Sequence, residues 1–529
     1  MDIAEETKIP SDNLAASAFK AADGDFFALI EYREGELHNI VDQAERAIID
    51  SREQIYQRGS SIVRVVRRDA ISARRFKRAA GAMGLVMVEP AYLVDLLTRI
   101  ARWMRWDKRT NAWRSINCPD KVALTYLSRL GRWNVPRLWG ATDAPTLRSD
   151  GSILQTPGYD EATGILFDPG ETLYPTIIDQ PTLEDAGAAF ETLCSAIDSF
   201  PFDSPVDRSV ALALILTALV RRSLPAAPLG AITAPIMGSG KTLLADLIAI
   251  IATGVSAPVM GHPATEEEAS KLLLALLGEG DSVVLIDNIE RPLEGAWLCA
   301  VLTAESFSAR RLGGNTMAQV PTSTLWLATG NSLQLQGDLR TRALLCRIDP
   351  RMERPEEREF AVDLREDIAR RRPELVVAGL TLMRAFVVCG KNPLEYVHPW
   401  GRFEKWSDLV RASLVWIGCA DPCASLAKLE ADDPERMRHI ALLRAWLDKF
   451  DGHAISVRDA IDAAMNDQGL REAMELVCRD RSGQLDAARL GKWLRRMMGR
   501  IADGAEFVRA GERQGSALWS VRGKLKAST

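Results

Sequence analysis

The 529-residue sequence predicts an α/β fold. Its phosphate-loop core of parallel strands is flanked by an α+β N-terminal domain, a helical region and a C-terminal winged helix. Three observations predict this. An apolar approach over 231–237 runs into Gly238-Ser239-Gly240-Lys241-Thr242 and a helical pattern over 243–253. A second apolar run, Val283-Val284-Leu285-Ile286, ends in Asp287, and a third, over 324–329, ends in Gly330-Asn331. After residue 452, short helical patterns lead into a turn-rich hairpin with a basic tip.

Composition narrows the function classes. Hydrophobic residues make up 47% and charged residues 26%, the mix of a folded chain rather than a disordered one, and the length calls for several domains. The net charge of −5 averages unlike regions. Residues 51–150 carry about a dozen more Lys/Arg than Asp/Glu, and 481–529 about seven more, around an acidic centre. Two basic regions point to a polyanion partner; solvated helix faces are the plain alternative. The eight cysteines lie mostly in apolar runs. Only Cys419 and Cys423 are close, and no second Cys/His pair completes a zinc spacing. Reduced thiols and a cytoplasmic location are expected. The acidic N-terminus lacks an apolar signal core, and the longest apolar run, 210–220, is too short to cross a bilayer. Neither secretion nor membrane insertion is expected.

Taken in order, 1–178 is the expected basic α+β domain, a DNA-binding region or a ring collar. Residues 1–25 are small, polar and acidic, Phe26–Tyr32 is strand-like, and 37–49 has helical spacing. Residues 55–68 read as a hairpin about Gly59-Ser60-Ser61, with Ile62, Val63, Val65 and Val66 set among arginines; Arg74, Arg75, Lys77 and Arg78 follow. The stretch 92–106 is expected to be one amphipathic helix. Its Arg102, Trp103, Arg105 and Trp106 interleave cations with aromatics, which suits stacked bases as well as a core. A further helix is expected over 119–131, then a Gly/Pro/Asp-rich stretch with short strands near 152–154 and 165–167. Residues 179–225 form a helical linker that opens on a capping pattern at Thr182 with Glu184 and Asp185. The core spans 226–350. A helical lid region follows over 351–451, punctuated by Arg370-Arg371-Arg372-Pro373. The winged helix occupies 452–529, with Arg489, Lys492, Arg495 and Arg496 on its third helix.

The chemistry lies in the core. A phosphate loop needs glycines so that backbone N–H groups can wrap the anion, a lysine to reach the outer oxygens and a hydroxyl for Mg²⁺. Gly238, Ser239, Gly240, Lys241, Thr242 and Leu243 supply these, between a strand and a helix N-terminus facing the anion. One departure is plain: Pro235 stands where the first glycine is usual. Asp287 is expected to hold Mg²⁺ together with Thr242. Asn288 stands where such motors often place a second acid, so Glu290 is the preferred residue to orient the attacking water and Asn288 the alternative. Asn331 is placed to sense the γ-phosphate. Arg342, then Arg340, is the candidate arginine finger toward a neighbouring subunit's nucleotide. The hairpin over 309–316 carries Arg310 and Arg311 on its stem and Asn315 at its tip, either a DNA grip or a plain surface turn. Arg495 and Arg496 are the DNA-contacting candidates of the winged helix.

Four motifs carry a resemblance: Gly238-Ser239-Gly240-Lys241-Thr242, Leu285-Ile286-Asp287-Asn288, Ala328-Thr329-Gly330-Asn331 and Gly337-Asp338-Leu339-Arg340-Thr341-Arg342. Together they resemble the AAA+ helicase module of phage, plasmid and integrative-element replication proteins. These are the primase-helicases and self-loading helicases related to superfamily 3 and MCM-like motors. Two other stretches look like segments beside such modules: 145–151 with Gly158-Tyr159-Asp160, and 403–411. The resemblance thus spans roughly 145–410, with specific motifs only in the core.

The resemblance implies an AAA+ core that hydrolyses ATP with Mg²⁺. It also implies a hexameric homo-oligomer acting on single-stranded or forked DNA in replication of a phage or mobile element. Residues 1–225 show no primase carboxylate pattern or zinc-knuckle spacing, and Asp23-Gly24-Asp25 reads as a loop. Priming would therefore fall to a separate primase or replication initiator. Two other readings compete: an ATP-dependent DNA-binding loader or remodeller of another helicase, and a defence-associated ATPase acting on protein. The basic regions favour the DNA readings.

Overall fold

The computed structural model describes residues 19–20, 26–73, 76–310, 317–357, 362–431, 434–480 and 482–525. They form two compact units, divided between Cys423 and Ala424.

The first unit is built on a mixed sheet whose core strands are parallel. Helix α1 (Pro205–Val220) precedes β1 (Leu229–Ala234), every residue of which is buried, as a parallel strand covered on both faces requires. α2 (Lys241–Thr253) follows and stops at Gly254, whose φ of 75° favours glycine. After β2 (Val259–Met260) comes α3 (Glu266–Glu279). Its Thr265 cap accepts from the Glu268 N–H, and three glutamates occupy the first turn, where the helix dipole favours negative charge. β3 (Val283–Ile286), α4 (Ala296–Thr303) and the antiparallel pair β4 (Ser306–Arg310) and β5 (Met317–Pro321) lead to β6 (Leu325–Asn331) and β7 (Ala343–Arg347). The parallel order is β7-β1-β6-β3-β2. β6 is therefore inserted between β1 and β3, and the carboxyl ends of these three strands meet on one edge of the sheet, where open α/β folds gather ligands.

The N-terminal region joins this sheet. Strands Phe76–Arg78 and Ile71–Ala73 extend it beyond β2 with antiparallel pairing. The hairpin expected over 55–68 is present as Ile55–Arg58 and Ser61–Arg67, with Met83–Met87 as a third strand. A separate sheet runs Phe19–Lys20, Phe26–Tyr32, Ala101–Asp107, Ala112–Ile116. Helices Leu37–Ser51, Pro90–Ile100 and Asp120–Ser128 pack on one side of it around Ile30, Leu93, Trp103 and Tyr126.

The single helix expected over 92–106 is therefore a helix followed by a strand. Burial over 101–104 runs buried, exposed, buried, intermediate, a period of two. The strand's parallel pairing with Phe26–Tyr32 overrides the helical spacing of its aromatics. Of the basic residues noted there, Arg74 and Arg75 lie outside the described residues.

Buried arginines gather where α3 ends and its last carbonyls need donors. Arg58 donates to the Leu277 and Trp139 carbonyls, and Arg222 to the Gly280 carbonyl and Ser282 Oγ. Arg78 is ion-paired with Asp281 and Glu279. Burial pushes Arg58 down to about 9, with the Arg222 charge adding to the effect, and Arg222 to about 10.

The capping pattern at Thr182 is a reciprocal box: Thr182 Oγ1 accepts from the Asp185 N–H, and the Asp185 carboxylate accepts from the Thr182 N–H. α5 (Leu364–Val388) runs through Pro373 without interruption, although proline removes one helical hydrogen bond. Its buried face from Leu375 to Phe386 sustains it.

The second unit contains helices Pro434–Phe450, Val457–Ala464, Gln468–Cys478 and Ala487–Met497, then strands Ala505–Arg513 and Ser516–Gly523 with Ile455–Ser456 added. Its core includes Leu442, Trp446, Trp493, Phe507 and Trp519. Among the described residues, no helix is long and apolar enough to cross a membrane, and all eight cysteines are free.

Candidate nucleotide site

The site forms where β1, β6 and β3 end side by side. After β1 the chain turns through Gly238 (φ 75°) and Gly240 (φ 98°), backbone that L side chains rarely adopt. These two glycines let the loop close immediately before α2 begins at Lys241. Ser239 is 1% exposed, and its Oγ donates to the Ile236 carbonyl at 2.7 Å, bracing the loop from within.

Lys241 Nζ donates to Asn331 Oδ1 at 2.7 Å and to the Ile236 carbonyl at 3.1 Å. Thr242 Oγ1 donates to Asp287 Oδ1 at 3.0 Å. The pairing Ala234↔Asn331 sets Asn331 opposite the end of β1, and Ile286↔Ala328 sets Asp287 beside Thr329. Four residues separated by up to 90 positions thus become neighbours through the strand order alone. Burial lowers the Lys241 pKa below the usual lysine range, an effect that the Asp287 carboxylate partly offsets.

Thr329 joins this cluster, although the sequence motif alone assigns it no role. Its Oγ1 donates to Asp287 Oδ1 and accepts from the Asn288 N–H, the latter at 3.3 Å. The signal was present: Thr329 and Asn331 are two apart on one strand and so share a face. Asn288 itself has φ 54°, and its side-chain amide donates to Glu290 Oε1 at 3.4 Å. The two candidates for positioning water are therefore neighbours, both exposed. Gly330 is required beneath them, since an added Cβ would lie 2.7 Å from the Ile289 carbonyl oxygen.

Thr242 and Asp287 offer a hydroxyl and a carboxylate oxygen 3.0 Å apart. Such a hard-oxygen pair fits a magnesium ion that draws its other ligands from phosphate and water. The described residues contain no group of three or more His, Cys, Asp or Glu disposed to bind a metal.

The other candidate residues fall outside this cluster. Arg342 closes the 3₁₀ turn Gly337–Arg342 and is tied to α4. Its Nη1 donates to the Cys299 carbonyl at 2.8 Å and to Thr303 Oγ1 at 3.2 Å, with Asp338 at 3.5 Å. Arg340 lies on the same turn. Arg310 ends β4, while Arg311 and Asn315 lie outside the described residues. Arg495 and Arg496 are exposed on Ala487–Met497 of the second unit, and Arg496 pairs with Glu435 at 2.5 Å. Leu243 follows Thr242 in the first turn of α2.

Two further features border the phosphate loop. Asp246, one turn along α2, accepts from Arg365 Nε and Nη2 at 3.0 and 2.7 Å. Burial raises its pKa although Arg365 opposes the shift. The Phe200 ring lies 3.5 Å from where a Cβ at Gly240 would stand.

No protein-family model and no curated protein matches the chain. Solved structures do match. The apo C-terminal region of NrS-1 aligns at 12% identity and TM-score 0.39, over 91% of this chain and 98% of that one. SCCmec type IV Cch, described as an active helicase, aligns at 11% and 0.34, over 87% and 94%. JCV helicase with a bound small molecule aligns at 13% and 0.21, over 45% and 73%.

Proposed function

We propose that this chain is an AAA+ ATP hydrolase that works as a hexameric ring, unwinding or translocating on DNA in the replication of a phage or mobile element. The observation that carries the reading is the joined set Lys241–Asn331 and Thr242–Asp287–Thr329, built on a glycine-turned loop at the head of a helix. An ammonium, an amide and a hydroxyl–carboxylate pair at one helix N-terminus suit a triphosphate with its metal.

In this reading Lys241 binds the outer phosphate oxygens, and the loop N–H groups wrap the inner ones. Magnesium, when bound through Thr242 and Asp287, supplies charge neutralisation. Asn331 reports on the terminal phosphate, and Glu290, steadied by Asn288, orients the attacking water. Arg342 serves a neighbouring subunit's site, with Arg340 as the alternative. Residues 452–529 act as a winged helix, and priming belongs to a separate primase or replication initiator.

The test is strand displacement on a forked duplex with ATP and Mg²⁺. Wild type is expected to separate the strands, and Lys241→Ala to lose hydrolysis by about 100-fold or more and unwinding with it. ATP hydrolysis without any strand displacement by wild type would replace the helicase with a loader or remodeller.

A further inference from the structure

The sheet of the N-terminal region has one face packed on helices and, among the described residues, a second face on which large apolar side chains stay exposed. Ile30 and Trp103 point into the helical core. Their strand neighbours point the opposite way, because side chains alternate along a strand. On that second face Leu29, Trp106 and Trp113 remain 38%, 41% and 36% exposed. Trp106 and Trp113 are directly paired across adjacent strands, with ring centroids 5.6 Å apart at 73°.

The surroundings of these rings are basic. Arg33 lies 6.0 Å from the centroid of the Trp113 ring, and its charge is matched by Glu31 at 2.6 Å. Arg102 stands on the same face, four residues from Trp106 along the strand. Lys108 and Arg109 occupy the turn joining the two tryptophan strands. Arg102, Lys108 and Arg109 have no ion-pair partner among the described residues, while Asp107 is engaged by Arg114 at 2.9 Å.

We propose that this open face binds single-stranded nucleic acid, with Trp106 and Trp113 stacking on unpaired bases and Arg102, Lys108 and Arg109 meeting the phosphates. Exposed aromatic rings flanked by unmatched cations recognise a ligand that is flat, apolar on its faces and anionic along its length. A duplex presents its bases already stacked and offers those rings nothing. This surface is separate from the nucleotide site, so it stands whether or not the chain is a motor.

The experiment uses the full chain without nucleotide and a fluorescein-labelled oligo-dT, read by anisotropy. Trp106→Ala/Trp113→Ala is expected to weaken binding at least about tenfold, while Trp106→Phe/Trp113→Phe retains most of it. Arg102→Glu is expected to weaken binding and to flatten its salt dependence. Basal ATP hydrolysis, melting temperature and elution volume should be unchanged in all three. Lys241→Ala should bind the oligomer as wild type does, so a failed motor reading would show in hydrolysis and not here. Equal affinity of wild type and the double alanine variant would overturn the proposal. So would equally tight binding of a blunt duplex, or elution of the double variant as a smaller species, which would make the face a contact between copies of this chain.

Discussion

Thr329 ties Asp287 to the loop that follows it. It is 1% exposed, and its hydroxyl serves both Asp287 and the Asn288 N–H. Thr329→Val keeps the shape and removes both bonds. The variant is expected to lose about 1–3 kcal/mol of stability, measured by urea unfolding, and most of its hydrolysis. Arg342 is the residue proposed to act beyond its own subunit. Arg342→Ala should leave nucleotide binding near normal and remove most turnover, measured by fluorescent-nucleotide titration beside an ATPase assay. Since Arg342 also braces α4, the melting temperature is the control. Normal turnover would move the finger role to Arg340.

Among the elements, the helix Pro434–Phe450 carries a buried titratable group. His439 is 4% exposed, with its ring centroid 5.9 Å from Phe507 and 5.6 Å from Trp493. Burial lowers its pKa below the usual histidine value, and Arg500 and Arg436 add to the effect while Glu435 opposes it. The folded unit therefore takes up this proton less readily than the unfolded chain. The resulting stability is fully present above the ordinary histidine pKa of about 6.5 and is lost as pH falls from there toward the lowered folded value. Melting temperatures between pH 7.5 and 5 should fall, and His439→Gln should flatten that part of the slope.

Other elements show how far the pattern of residues could be read. The hairpin at 55–67 and the Thr182 capping box were legible because each depends on a local signal: a turn and a cap. The stretch 92–106 was not. Its Trp103 and Trp106 fit helical spacing, yet three residues apart on a strand they fall on opposite faces, and only pairing with Phe26–Tyr32 decides that.

For the whole molecule, two basic stretches of sequence and a glycine-turned loop belong to one chain with a net charge of −5. DNA affinity is expected to fall steeply with salt, because each phosphate contact releases a counterion. A log–log slope from anisotropy titrations measures how many contacts are made. A flat response would remove the basic regions from the account.

The sequence by itself determined the local chemistry: a glycine-turned loop with Lys241 and Thr242, an acid after an apolar strand, and an Asn after another. These follow from short-range constraints on φ, strand length and helix start. Only the tertiary structure decided who touches whom. Placing β6 between β1 and β3 brings Asn331 to Lys241 and Thr329 to Asp287, and strand order is fixed by packing across the whole sheet. The same holds for the arginines at the end of α3, where Arg58, Arg78 and Arg222 come from distant stretches of chain. Nothing in their own neighbourhoods distinguishes them from solvated surface charges. Burial against uncapped carbonyls and carboxylates, which exists only after folding, makes them part of the core.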